Sequence, residues 1–356
     1  MSRPTRIVIG PNFFGAGNFG DDLMLAGFLD QVPSGTPVSI VAFTPHDIES
    51  QRLRFPQVAW APDEDAARGR ALAEADLWLC LGDTPFQLDS GPWMLDHLSR
   101  ELEHCSRAKV PMAYLGVGCE SEAAAADPRT KALLAASTRV WTRDALSGRC
   151  LMGVAPSAAV EIGSDLAHLE FEIGVFPTVE SGTLGLLIAY EQEGLVRVPA
   201  LEQLIEARAS APTRWLIQDG RIFPYAERWN YGALSEAIQR RVIVMPFDYR
   251  RDSLETFLEN FGAPEIVIST RYHATLVAGW HGSRVAVVAR SGKLRGIAQD
   301  LDLPWTDSIA TPNDLQTLIE RARFVSRDRL RRQHERAVAM CDAFFAWLTA
   351  LGDSRN

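Results

Sequence analysis

Cysteine is scarce in this chain. Its five copies (Cys80, Cys105, Cys119, Cys150, Cys341) are an odd, scattered set with no C-x-x-C pair among 356 residues. Such spacing supports neither a disulfide framework nor a zinc site and points to a reducing compartment. An excess of positive charge is also missing, since 36 Lys+Arg against 45 Asp+Glu leave a formal net charge of -9. A protein that grips duplex nucleic acid neutralises phosphates with a basic face, so no nucleic acid partner is expected. Long hydrophobic runs are absent. Ile7-Val8-Ile9, behind Arg3 and Arg6, is cut short by Gly10-Pro11, so no signal peptide is expected. Nowhere is there an apolar run long enough to span a bilayer. The expected location is the cytoplasm.

What is present is alternation. A chain of this length outgrows one hydrophobic core, so two domains are expected. Ile7–Ile9, Val38–Ala42, Leu77–Leu81, Ala113–Gly116, Val140–Thr142 and Val160–Ile162 read as short apolar strands. Helices are expected between them at Asp21–Leu29, Pro92–Glu103 and Thr130–Ala136, a rhythm that builds a parallel sheet wrapped by helices. The rhythm pauses over Phe171–Gly182, with Pro177, Ser181 and two glycines, and restarts at Leu184–Ala189, Arg241–Met245, Ile266–Ser269 and Val285–Ala289. The expected fold class is α/β, with two Rossmann-like βα lobes facing a cleft. Residues 1–170 make the first lobe, 171–183 a linker, 184–325 the second lobe and 326–356 a C-terminal helix. On that helix Val338, Cys341, Phe345 and Leu348 form one stripe. Arg321–Arg336 carries seven arginines against two acids. A solvated helix face is the ordinary reading, and peripheral contact with an anionic membrane the sharper one.

Candidate chemistry gathers where open α/β sheets hold ligands, beyond the carboxyl ends of the strands. Arg271-Tyr272-His273 follows the strand Ile266–Ser269, and Lys293 follows the next one. Two cations beside an imidazole suit a small anion and a proton transfer near neutrality. Alone, His273 would be read as a structural histidine. Arg143, after Val140–Thr142, is either half of a surface ion pair with Asp144 or a bidentate anion ligand. Gly15-Ala16-Gly17-Asn18-Phe19-Gly20 spells G-x-G-x-x-G, but it starts several residues after its strand. The second strand also ends without the acid that would grip a ribose, so no dinucleotide is expected. Asp21 and Asp22 either cap the following helix or face the ligand as hydroxyl binders or a base. Gly82-Asp83-Thr84 and Gly116-Val117-Gly118 follow buried strands, where glycine allows either a turn or a close approach to ligand. His46, His97, His104, His168, His281 and His334 show no ligand spacing, so no metal is expected.

Taken in order, several segments resemble the polysaccharide pyruvyltransferase family over most of residues 7–300. They are Asn18-Phe19-Gly20-Asp21-Asp22, Asp76–Thr84, Gly116-Val117-Gly118, Thr142-Arg143-Asp144 with Ser147, Ser164-Asp165, and Ser269–Ala274 with Lys293. The resemblance implies a two-lobed fold similar to GT-B glycosyltransferases. It also implies transfer of pyruvate from phosphoenolpyruvate, a co-substrate, to two hydroxyls of one sugar as a cyclic ketal, with release of phosphate. By motif, Arg143, Arg271, His273 and Lys293 match the family's phosphoenolpyruvate-binding positions. Asn18, Gly20 and Asp21 or Asp22 match its acceptor side, with His273 and the two aspartates as the catalytic candidates. Asp83 departs from the pattern, because many members have three glycines at positions 82–84, and Cys119 stands where proline is common. Asp83 adds a carboxylate on the acceptor side. The acceptor is a saccharide, free, nucleotide-linked or lipid-linked. On this reading the site lies between the lobes. Two rivals share the architecture: a glycosyltransferase using a nucleotide sugar, with Glu265 or Asp252 as its ribose acid, and a non-catalytic sugar- or phosphate-binding protein.

Overall fold

A computed structural model describes residues 5–12, 14, 17–42, 48–89, 91–154, 159–173, 185–190, 196–218, 226–248, 252–289 and 291–353. Seven parallel strands make the first sheet: β1 (Ile7–Asn12), β2 (Val38–Ala42), β3 (Val58–Pro62), β4 (Leu77–Leu81), β5 (Met112–Val117), β6 (Ser137–Thr142) and β7 (Val160–Ile162). Their order is β3-β2-β1-β4-β5-β6-β7, so the winding reverses between β1 and β4. The central strands are buried along their length, which is why they read as unbroken apolar runs. Trp78, Phe86 and Tyr114 fill the space beneath the helix Trp93–Ala108.

The second sheet contains β8 (Leu186–Ala189), β9 (Thr213–Gln218), β10 (Val242–Phe247), β11 (Ile266–Ser269), β12 (Arg284–Val288), β13 (Trp305–Thr306) and β14 (Arg323–Phe324). Its order, β10-β9-β8-β11-β12-β13, repeats the same reversal, here between β8 and β11, while β14 runs antiparallel along β12. Ile188, Trp215 and Ile268 anchor its core.

Four strands escape the sequence reading. β3 ends in proline and alternates buried with exposed residues. β9 opens on Thr213-Arg214, and β13 and β14 are two residues each. The linker lies mostly outside the described residues, as do Gly15, Ala16 and Leu184.

Residues 1–16, 21–170 and 333–356 form one compact unit, and residues 17–20 with 171–332 form the other. The last helix, Arg327–Asp353, is therefore shared, its first turns counting with the second unit. Its buried stripe differs from the expected one. Leu330, Gln333, Ala337, Met340, Cys341, Phe344 and Leu348 are buried, whereas Val338 and Phe345 are half-buried. The reason is local: Met340 fills the space left by Gly163, and the Phe344 ring meets those of Phe28 and Trp141. Among the seven arginines, Arg323 pairs with Asp302, Arg331 with Asp328, and Arg329 donates to the carbonyls of Gln299 and Asp300. The stretch is thus partly structural.

Candidate functional site

At the carboxyl edge of the second sheet, Arg271 is the extended residue immediately before the helix Tyr272–Trp280. Ser269 locks that turn, its hydroxyl accepting from the Arg271 N–H at 3.0 Å and donating to the Arg271 carbonyl at 2.8 Å. The Arg271 Nε donates to Glu227, a fully buried carboxylate on the helix Ala226–Gly232. The guanidinium is therefore fixed in place and its charge largely compensated. His273, two residues further, is buried with 9% exposure.

The Asn18-Phe19-Gly20 segment crosses the same edge. The Phe19 N–H donates to Gln218 Oε1 at 2.9 Å, and the Phe19 ring packs against Phe257 and Phe247 with centroids 4.6 and 6.0 Å apart. Gly20 then lies against the imidazole of His273 so closely that a β-carbon there would overlap the ring. Two motifs read separately along the chain thus meet. Next along the sheet, the helix Gly292–Asp300 begins after β12 with Ser291 at its N-cap and Lys293 half-buried in its first turn. Neither this helix nor Tyr272–Trp280 has an acid in its first turn. Backbone N–H groups that lack intrahelical acceptors, the positive helix ends and two cationic side chains make this edge suited to an anion.

Arg143 is placed differently. It belongs to the first unit, its side chain only 2% exposed, with Nη2 donating to Thr84 Oγ1 at 2.7 Å. Asp144 and Asp165 stand 3.7 and 3.8 Å from the guanidinium, and a β-carbon on Gly118 would come within 2.8 Å of Nη2. The surface ion pair with Asp144 is corrected to a buried one, because the loops after β4, β5, β6 and β7 close over the side chain. Asp144 also accepts from the Ser147 N–H and hydroxyl at 2.7 and 2.9 Å, and Ser147 in turn accepts from the Cys119 N–H at 2.8 Å. Burial pushes the Cys119 thiol up to about 12, so it stays protonated and inert.

The helix following the glycine segment is Phe19–Gln31, two residues longer at its start than expected. Asp21 and Asp22 are consequently inside its first turn and do not cap it. The Gly20 N–H is instead satisfied by Asn18 Oδ1 at 3.1 Å. Both acids are buried, and Asp22 pairs with Arg54 at 2.7 Å. Asp83 adopts a left-handed backbone (φ 60°), as does Gly82 (φ 64°). That conformation explains why glycine suits these positions and why aspartate, which tolerates it better than most residues, can replace it. Glu265 is corrected as a ribose ligand: it pairs with Arg208 and precedes β11, at the opposite end of the strand from Arg271. Asp252 accepts from the Asp248 N–H at 2.8 Å and closes the loop after β10.

Sequence reasoning missed Glu227, Gln218 and Ser291, and named Thr84 without its bond to Arg143. Glu227 and Gln218 flank a segment, 219–225, that carries no recognisable motif, and only a partner distant in the chain gives them meaning. Among the described residues no group of three His, Cys, Asp or Glu side chains could hold a metal ion, and no helix is long and apolar enough to cross a membrane.

No family model matches the chain, and no curated protein does. Solved structures do. A UDP-GlcNAc 2-epimerase from Neisseria meningitidis, bound to UDP-GlcNAc, matches with a TM-score of 0.62 at 11% identity, over 97% of this chain and 100% of that one. A UDP-N-acetylglucosamine 2-epimerase from Rickettsia bellii gives 0.62 at 11% identity, over 99% and 98%. A UDP-glucosyltransferase from Polygonum tinctorium, capable of glucosylating indoxyl, gives 0.58 at 11% identity, over 98% and 99%. The fold is the α/β fold with two parallel sheets that GT-B glycosyltransferases and these epimerases share.

Proposed function

We infer that the protein is a transferase that takes an anionic donor on its second unit and passes a group to a saccharide. The observation that carries this reading is the edge where Gly20 abuts His273, beside Arg271 and the Lys293 helix. Two donors compete for it. The similar solved structures favour a nucleotide sugar, since the proteins they contain handle UDP and UDP-sugars, although at about a tenth identity that likeness reaches only the fold. The residues favour phosphoenolpyruvate. Helix starts carrying Arg271, His273 and Lys293 but no first-turn acid offer a carboxylate and a phosphate their counter-charges. They offer a ribose diol no carboxylate.

With phosphoenolpyruvate, Arg271 and Lys293 hold the donor while His273 gives a proton to the methylene carbon. A sugar hydroxyl adds to the neighbouring carbon and loses its proton to Asp21, which follows Gly20 directly. The second hydroxyl then displaces phosphate, and its proton leaves with that group. Asp22, held by Arg54, orients the turn, and Arg143 shapes the loops that include Asp83. Incubation with phosphoenolpyruvate or UDP-sugars, across free, nucleotide-linked and lipid-linked saccharides, separates the donors. Phosphate release dependent on the saccharide supports pyruvyl transfer, UDP release supports the glycosyltransferase, and neither on any acceptor sinks the transferase reading.

A further inference from the structure

The opening of the helix Gly292–Asp300 has a hydroxyl that is left unused. Ser291 holds the N-cap with extended backbone (φ -88°, ψ 156°), yet its side chain accepts no bond from the helix N–H groups. A serine there ordinarily makes that bond. The residue is 6% exposed and, among the described residues, its Oγ has no hydrogen-bond partner. A buried hydroxyl without a partner costs free energy unless something supplies one. The same turn leaves its first backbone N–H groups without intrahelical acceptors. Lys293 stands among them, one of three lysines in a chain that otherwise uses arginine (the others are Lys109 and Lys131). The turn has no acid to repel an anion.

We propose that Ser291 Oγ, the N–H groups opening the helix Gly292–Asp300 and Lys293 form the subsite for a phosphoryl group of the donor. The inference rests on the donor edge proposed above, but it holds for either donor, because phosphoenolpyruvate and a nucleotide sugar both carry phosphoryl oxygens. Ser291 donates its proton to one such oxygen, the helix N–H groups hold another, and the Lys293 ammonium balances the charge. Arg271, already compensated by Glu227, is left for the remainder of the donor.

Amide shifts of the 15N-labelled full chain during titration with inorganic phosphate test the subsite. Gly292, Lys293 and Leu294 should move together and saturate. Ser291→Ala should weaken phosphate about tenfold, and Ser291→Thr, which keeps the hydroxyl, should stay within about threefold of the parent. Consumption of phosphoenolpyruvate or a UDP-sugar by a protein whose amides ignore phosphate would overturn the subsite and leave the transferase reading intact. Phosphate moving those amides, with neither donor consumed on any acceptor, would do the reverse. A Ser291→Ala variant that melts earlier but binds phosphate as before would make the serine a structural residue only and also overturn the proposal.

Discussion

Arg143 and Arg271 are both buried arginines just past the carboxyl end of a parallel strand, one in each unit. Their surroundings differ. Arg143 is enclosed by loops that bring Thr84, Asp144 and Asp165 to its guanidinium and Gly118 against its edge. Arg271 gives its Nε to Glu227 and stands two residues before His273, whose ring meets Gly20 with no room for a side chain, and neither the helix it precedes nor Gly292–Asp300 has an acid in its first turn. Position on the ligand edge is therefore a weak guide by itself. What distinguishes a brace from a ligand is whether neighbouring groups complete the site for the arginine or for something absent from the chain.

The largest test of that contrast is Arg143→Ala. It leaves Asp144 and Asp165 buried without their counter-charge, so unfolding free energy should drop by about 3–5 kcal/mol. Donor affinity, measured by calorimetry well below the transition, should hold. Arg271→Lys should behave in the opposite way: charge remains but the planar fork is lost, so donor binding should weaken about tenfold with little change in melting temperature. Weakened donor binding in a normally stable Arg143 variant would erase the comparison and return Arg143 to the donor site.

His273→Gln comes next. If the imidazole gives the proton, single-turnover rates should fall about a hundredfold while donor affinity changes little, since Arg271 and Lys293 remain. Normal turnover would reduce His273 to a packing partner of Gly20.

The same contrast explains what could be read from the chain. The sheets were legible because parallel strands buried on both faces leave apolar runs, and the placement of Arg271, His273 and Lys293 past strand ends followed from those runs. β3 and β9 were not, since proline and an opening Thr-Arg blur their pattern. Partners were illegible for a different reason. Thr84 lies 59 positions from Arg143, Glu227 lies 44 from Arg271, and Gln218 lies 199 from Phe19. Only the fold joins them, and without them Arg143 reads as either an ion pair or an anion ligand and Asp21-Asp22 as either a cap or ligand-facing acids.

A third test uses pH to address the first unit alone. Burial, with Asp30 nearby, raises the Glu170 carboxyl from its usual range to about 7. The folded state thus holds this proton more tightly than the unfolded chain. Stability should decline as pH rises from the ordinary carboxylate range through about 7 and then level off, by about 3 kcal/mol. Glu170→Gln should flatten that slope. A slope that survives the substitution would assign the titration to another group.

The smallest expected effect concerns Asp83, which follows Gly82 in a left-handed turn after β4. Its backbone is left-handed (φ 60°), and its carbonyl accepts from the Gly118 N–H at 2.8 Å, so the conformation is held by the loop that also borders Arg143. A non-glycine residue held there costs roughly 1 kcal/mol relative to a relaxed backbone. Glycine removes that strain but frees the unfolded chain, which offsets part of the gain. Asp83→Gly should therefore stabilise by no more than about 0.5 kcal/mol, and Asp83→Ala should destabilise by about 1 kcal/mol. If the carboxylate also contacts the acceptor, KM for the saccharide should rise in both variants while donor affinity stays fixed. Unchanged KM in both, with the expected stability pattern, would limit Asp83 to a backbone role.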